Sequence, residues 1–124
     1  MDKFQAQQAL WESCGLPAYD ENAVPDDAIM PYITYEAVAG NIGAATQIAV
    51  NVWHRSNSWA EISRKAQQIA TAIDNMPSSI KIDGGRMKVR LPDGIPWGNR
   101  MEEPNDGGVR RIRIAVEIEF LTAN

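Results

Sequence analysis

The sequence has 124 residues, 44% hydrophobic and 23% charged, with a formal net charge of -4. That is enough chain for one hydrophobic core and too little for two, and its longest apolar run falls far short of the roughly 18 residues of a membrane span. With one cysteine and one histidine, a single copy can build neither an internal disulfide nor a Cys/His zinc cage.

A single soluble domain over residues 1–124 is therefore expected. The opening Met1-Asp2-Lys3-Phe4-Gln5 shows none of the three regions of a secretory signal, so no export is expected either. Charge is unevenly spread. Residues 1–62 hold eight acids and two bases, residues 63–124 eight acids and ten bases, so the halves carry -6 and +2. Such polarity suits head-to-tail contact between copies, and equally a solvated surface without a partner.

Residues 2–14 are expected to form a first helix, with Phe4, Leu10, Trp11 and Cys14 at roughly helical spacing and Gly15 and Pro17 as the stop. Residues 15–31 contain Pro17, Pro25 and Pro31 among Asp20, Glu21, Asp26 and Asp27, which predicts an exposed acidic loop. A strand follows over Tyr32–Val38, then turn material at Gly40-Asn41-Ile42-Gly43. A second strand runs from Gln47 to Arg55, placing Ile48, Val50 and Val52 on one face and Gln47, Ala49, Asn51 and Trp53 on the other. The two read as an antiparallel pair.

Ser58-Trp59-Ala60-Glu61 has the form of a capping box, in which Ser58 and Glu61 each accept the other's backbone N–H. Behind it Ile62, Ala66, Ile69, Ile73 and Met76 form one apolar stripe that Pro77 ends. Ile80–Asp83, Gly84-Gly85 and Arg86–Leu91 read as a hairpin, with Ile80, Ile82, Met87, Val89 and Leu91 inward and Lys81, Arg86, Lys88 and Arg90 outward. Residues 92–108 form a second irregular segment, longer than the roughly 12–15 residues usual for a structureless loop.

From Arg110 to Thr122, Ile112, Ile114, Val116, Ile118 and Phe120 alternate with Arg111, Arg113, Ala115, Glu117 and Glu119. At about 3.3 Å per residue this strand reaches roughly 40 Å, against about 35 Å for the whole domain. It must cross the domain, bend or overhang, and it needs ladder neighbours from this copy or another. The fold class is thus α+β: a mostly antiparallel sheet of about five strands, an amphipathic helix on one face and an N-terminal helix, in the order α-β-β-α-β-β-β.

Catalytic equipment is sparse. His54, Arg55, Ser56 and Ser58 form one polar cluster, but a triad needs an orienting carboxylate from elsewhere and no nucleophile-elbow pattern is present. Cys14 reads as a small buried hydrophobe, and the glycines match no dinucleotide or P-loop pattern. No enzyme, cofactor or metal is expected. Lys81, Arg86, Lys88, Arg90, Arg111 and Arg113 can gather on one sheet face, yet the net acidity and the lack of interleaved aromatics speak against nucleic-acid recognition. On the long loop, Trp97, Arg100 and Met101 are residue types enriched at interfaces. They predict either a docking arm or, for Trp97, a lid folded back on its own domain.

Ala18-Tyr19-Asp20, Val24-Pro25 and Pro31-Tyr32-Ile33-Thr34, followed by Ile48-Ala49-Val50-Asn51-Val52-Trp53 and a polar run into a helix, resemble the tail-completion or tail-terminator proteins of long-tailed, siphovirus-like bacteriophages. The resemblance covers residues 16–76 in motif and the remainder in element order. It implies a non-enzymatic subunit of a ring, commonly a hexamer, assembled in the bacterial host cytoplasm and carried at the tail or neck of the virion. Such a ring caps the tail tube, stops its growth and presents a surface to head and neck proteins. On this chain it implies contacts through the loop with Trp97, Arg100 and Met101 and through the final strand with Arg111 and Arg113. Another head-tail connector or neck subunit is the nearest alternative. A small enzyme or ligand-binding domain centred on His54 is a further one.

Overall fold

The computed structural model describes residues 1–39, 44–101, 103 and 105–122. The Gly40–Gly43 turn expected from the sequence lies outside the described residues. Helix α1 spans Lys3–Glu12 and begins with a true capping box: the Asp2 carboxylate accepts the Gln5 N–H at 2.8 Å, and the Gln5 side chain accepts the Asp2 N–H at 3.0 Å. Two donors that a helix start leaves without intrahelical partners are thereby satisfied. The chain leaves the helix through Gly15, whose φ of 100° is open to a residue without a Cβ. Phe4 departs from the expected apolar stripe and is 54% exposed; Ala6, Gln7, Leu10 and Trp11 make the buried side instead.

Gln7 is a buried amide with its hydrogen bonds made. It donates to the carbonyls of Lys3 (3.1 Å) and Val38 (2.9 Å) and accepts the Val38 N–H at 2.8 Å. One polar side chain so ties α1 to the chain leaving the second strand, at no cost in unpaired groups.

Seven strands form among the described residues, where about five are expected. They are β1 (Ala18–Asp20), β2 (Tyr32–Tyr35), β3 (Ala45–Arg55), β4 (Ile80–Ile82), β5 (Gly85–Arg90), β6 (Gly98–Met101) and β7 (Val109–Thr122), with α2 (Ala60–Asp74) between β3 and β4. The two additions fall inside the segments read as loops. β1 lies in 15–31 and pairs in parallel with β2, while β6 lies in 92–108 and pairs with β7. Both are too short for alternation to register, and Gly98-Asn99-Arg100-Met101 has little intrinsic strand preference. Tertiary pairing makes them strands.

The sheet runs β1-β2-β3-β7-β5-β4, with β6 beside β7 off that path. The long last strand finds its neighbours within this copy. On one edge β3 pairs with it from Arg55↔Val109 to Ala45↔Glu119; on the other, β6 covers Arg111–Ile114 and β5 covers Glu117–Thr122. Its alternation is as expected: Ile112, Ile114, Val116, Ile118 and Phe120 are all buried.

Both helices lie on the sheet face that carries those residues, where Ile33, Tyr35, Val50, Val52 and Met87 join Leu10, Trp11, Ile62, Ile69 and Ile73 in one core. The α2 stripe buries as predicted, with Met76 partly buried at its end. The helix start differs. Trp59 occupies the N-cap without a side-chain hydrogen bond, and the Ser58 hydroxyl accepts the Ala60 N–H at 3.1 Å. Glu61 has turned away from the cap toward His54, whose Nε2 lies 3.0 Å from its carboxylate across the β3–α2 junction. The β4–β5 hairpin closes through Asp83 and Gly84, the latter at φ 78°, with Ile82, Met87 and Val89 inward as expected.

Candidate functional site

Because both helices cover one face, the other is left to side chains alone. Tyr19 and Tyr32 meet edge to face there at 5.6 Å, and the Trp53 indole N–H donates to the Thr34 hydroxyl at 2.8 Å. Register then places Arg111 opposite Trp53 and Arg113 opposite Asn51. The Arg111 guanidinium lies 5.0 Å from the centre of the Trp53 ring, donates to Glu103 at 2.7 Å and to the side-chain Oδ1 of Asn51 at 3.1 Å. Its head is oriented by a ring face, a carboxylate and an amide together.

Further along the same face Ala49 sits opposite Ala115, both buried, and beyond them Glu117 pairs with Arg90 at 2.7 Å while Glu119 faces Lys88 in register. The open face is thus basic at the β6 end and mixed at the β5 end. Met101 lies opposite Arg111 on this face, half-buried. Arg113, also half-buried, makes no side-chain hydrogen bond or ion pair among the described residues.

Arg100 is on the helix side instead. It stacks 5.1 Å from the Trp59 ring centre, and Arg110 lies 5.4 Å from the same centre, so one indole at the start of α2 engages two guanidinium groups. Trp97 is partly buried against the core and lines shallow hollows beside Gln67 and Ala70 of α2, while its carbonyl accepts the Ala115 N–H at 2.7 Å. The five residues singled out in sequence therefore divide: Met101, Arg111 and Arg113 share the open face, and Trp97 and Arg100 flank α2.

The rest of segment 92–108 is also anchored. Asp106 accepts the Gly108 N–H at 3.0 Å and pairs with Arg55 at 3.1 Å, and the Gly108 carbonyl accepts the Ser56 N–H at 2.9 Å. These contacts hold the Asp106 carboxyl below its ordinary value, the backbone bond first and Arg55 second. Glu61 is held low in the same way by His54, whose Nε2 stands 3.0 Å from its carboxylate. His54 Nδ1 meets no hydrogen-bond partner among the described residues, so the Ser/His/carboxylate chain a hydrolase needs is not assembled here. Burial pushes the Cys14 thiol up, and its sulfur donates to the Leu10 carbonyl at 3.6 Å.

A lowered carboxyl pKa stabilises the fold above the ordinary carboxylate range and ceases to as pH falls through the lowered value. The double variant E61Q/D106N should therefore be less stable than the wild type near neutrality, with the gap closing as pH drops to about 3. Urea midpoints across that range check this; a gap that stays constant would mean neither carboxylate titrates against its partner.

Trp53, Trp59 and Glu103 are not among the contact residues expected from the sequence. Indoles and arginines are common anchors of interfaces, which was a usable signal, but their pairing depends on the β3–β7 register, which composition does not reveal.

No family model matches the chain, and no curated protein sequence matches it. Among solved structures, a chain from the virion of a native gene transfer agent particle has the same fold, with a TM-score of 0.59 and 16% identity over 95% of this chain and 88% of that one. No helix among the described residues is long and apolar enough to cross a membrane, and no cluster of three or more metal-ligating side chains occurs among them.

Proposed function

We propose that this protein is a structural subunit of a phage-type virion, working by binding and geometry without catalysis, and more narrowly a tail terminator. One observation carries the reading: nearly the whole chain shares its fold with a chain of a gene transfer agent virion. Element order and the Pro31-Tyr32-Ile33-Thr34 and Val52-Trp53 motifs add the likeness to tail terminators. In this role copies close into a ring, a hexamer by that likeness, on the end of a tail tube, and meet head and neck proteins on the ring's outer side.

The open face suits such work. A guanidinium already oriented against Trp53 loses little side-chain freedom on docking, which favours Arg111 as an anchor, with Arg113 and Met101 beside it. Light scattering after size-exclusion chromatography, with negative-stain imaging, tests the proposal. Rings of uniform diameter are expected, alone or on tail-tube ends. A strict monomer at every concentration, and in the presence of tail-tube protein, would overturn it.

A further inference from the structure

Trp59 gathers two positive charges and no carboxylate. The Arg100 guanidinium lies 5.1 Å and the Arg110 guanidinium 5.4 Å from its ring centre. Register explains why they meet. Arg100 pairs with Ile112 across β6 and β7, and Arg110 stands two residues from Ile112 on the same face, the diagonal-neighbour position of an antiparallel pair. Like charges so placed repel, and the ring face offsets only part of that cost.

The usual remedy, a bridging carboxylate, is absent among the described residues. The acids of the flanking segments are committed elsewhere: Glu61 to His54 at 3.0 Å, Glu103 to Arg111 at 2.7 Å and Asp106 to Arg55 at 3.1 Å. Arg100 is exposed and makes no side-chain hydrogen bond or ion pair among the described residues. Arg110 donates only to neutral carbonyls, of Gly107 at 3.1 Å and Asn57 at 3.5 Å, and its buried Nε meets no acceptor among those residues. Beside the pair, between β6 and α2, lies an open hollow of about 230 Å³. Ser63, Gln67, Asn99 and Arg100 bring hydrogen-bonding groups to it, Trp97 and Ile112 bring apolar surface, and no described acid lines it.

We infer that this is a receptor for an acidic segment of a partner protein: one Asp or Glu carboxylate of that segment bonds Arg100 beside Trp59, in the field of Arg110, and an adjoining residue enters the hollow. A guanidinium fork matches a carboxylate in shape as well as charge, and stacking on the indole orients it beforehand. The hollow supplies amides and a hydroxyl for a peptide and an apolar wall for its side chain, which a bare phosphate would leave unused. Nucleic acid needs a row of bases along its backbone, whereas here Glu61, Glu103 and Asp106 flank a single pair. The inference goes beyond the ring reading and does not depend on it.

Two-dimensional NMR of the nitrogen-15-labelled protein, titrated with an acetylated and amidated hexaglutamate peptide, tests this. Saturable shifts are expected at the Trp59 indole N–H, at the Arg100 and Arg110 Nε–H and at the Ser63 and Gln67 amides. Arg100→Gln, a change at an exposed position, should weaken the peptide by about tenfold or more while the spectrum stays dispersed. Lys81→Gln removes an equally exposed charge on β4 and should leave the affinity unchanged. No saturable shift, shifts confined to Arg111 and Arg113, or undiminished binding by Arg100→Gln would each overturn the site. Equal shifts with hexaglutamine, or tighter binding there of inorganic phosphate or a single-stranded oligodeoxynucleotide, overturn the acidic segment as its occupant. Any of these failures leaves the light-scattering test of ring formation untouched.

Discussion

Replacing Trp11 with alanine should lower the unfolding free energy by about 3–5 kcal/mol, the usual cost of removing a fully buried tryptophan. Trp11 is wholly buried on α1, its ring 6.3 Å from that of Tyr35 on β2, whose hydroxyl in turn donates to Gln8 of the same helix. The side chain is therefore the main apolar link between the N-terminal helix and the sheet. Its indole N–H, though, meets no acceptor among the described residues. A buried unpaired donor costs about 1–3 kcal/mol, so Trp11→Phe, which deletes the donor and keeps much of the ring, should stay within about 1.5 kcal/mol of the wild type. Urea denaturation of both variants checks the pair. Equal losses would mean that the indole N–H is satisfied in solution.

Deleting residues 94–106 should destabilise the fold itself, by on the order of 3–5 kcal/mol, and promote aggregation. The excision takes away β6 and so strips the Arg111–Ile114 edge of β7; it also removes Trp97 from its place against α2, Glu103 from Arg111 and Asp106 from Arg55. An unpaired strand edge in the middle of a sheet invites pairing with another chain. Trp97→Ala is the milder probe, since it keeps the β6 ladder. Thermal melts read beside light scattering separate loss of fold from loss of assembly. A deletion variant that melts like the wild type would show that β6 contributes little.

Long, regular alternation was fully legible in the sequence. The β7 stripe, the α2 stripe from Ile62 to Met76 and the two faces of the β4–β5 hairpin need only period and polarity, and the structure reproduces them. β1 and β6 were not legible, because three- and four-residue strands owe their state to a neighbour's open edge. The apparent Ser58–Glu61 capping box failed for a related reason: a local motif competes with whatever partner the fold brings near, and His54 stands 3.0 Å from Glu61. Among the candidate site residues, Arg111 and Arg113 could be assigned to one strand face from alternation. That Trp53 lies under Arg111, and that Arg100 turns toward Trp59, depends on register and on which side β6 joins.

β7 is last among the elements in chain order and central in the sheet, bordered by β3 on one side and by β5 and β6 on the other. During synthesis β3, β5 and β6 accordingly wait for their common partner, and the edges that pair with it stay bare until β7 has emerged. A polypeptide cut short before residue 109 has no middle around which to close. Fragments of that kind would be fit for degradation, so folding alone separates chains that carry β7 from chains that lack it.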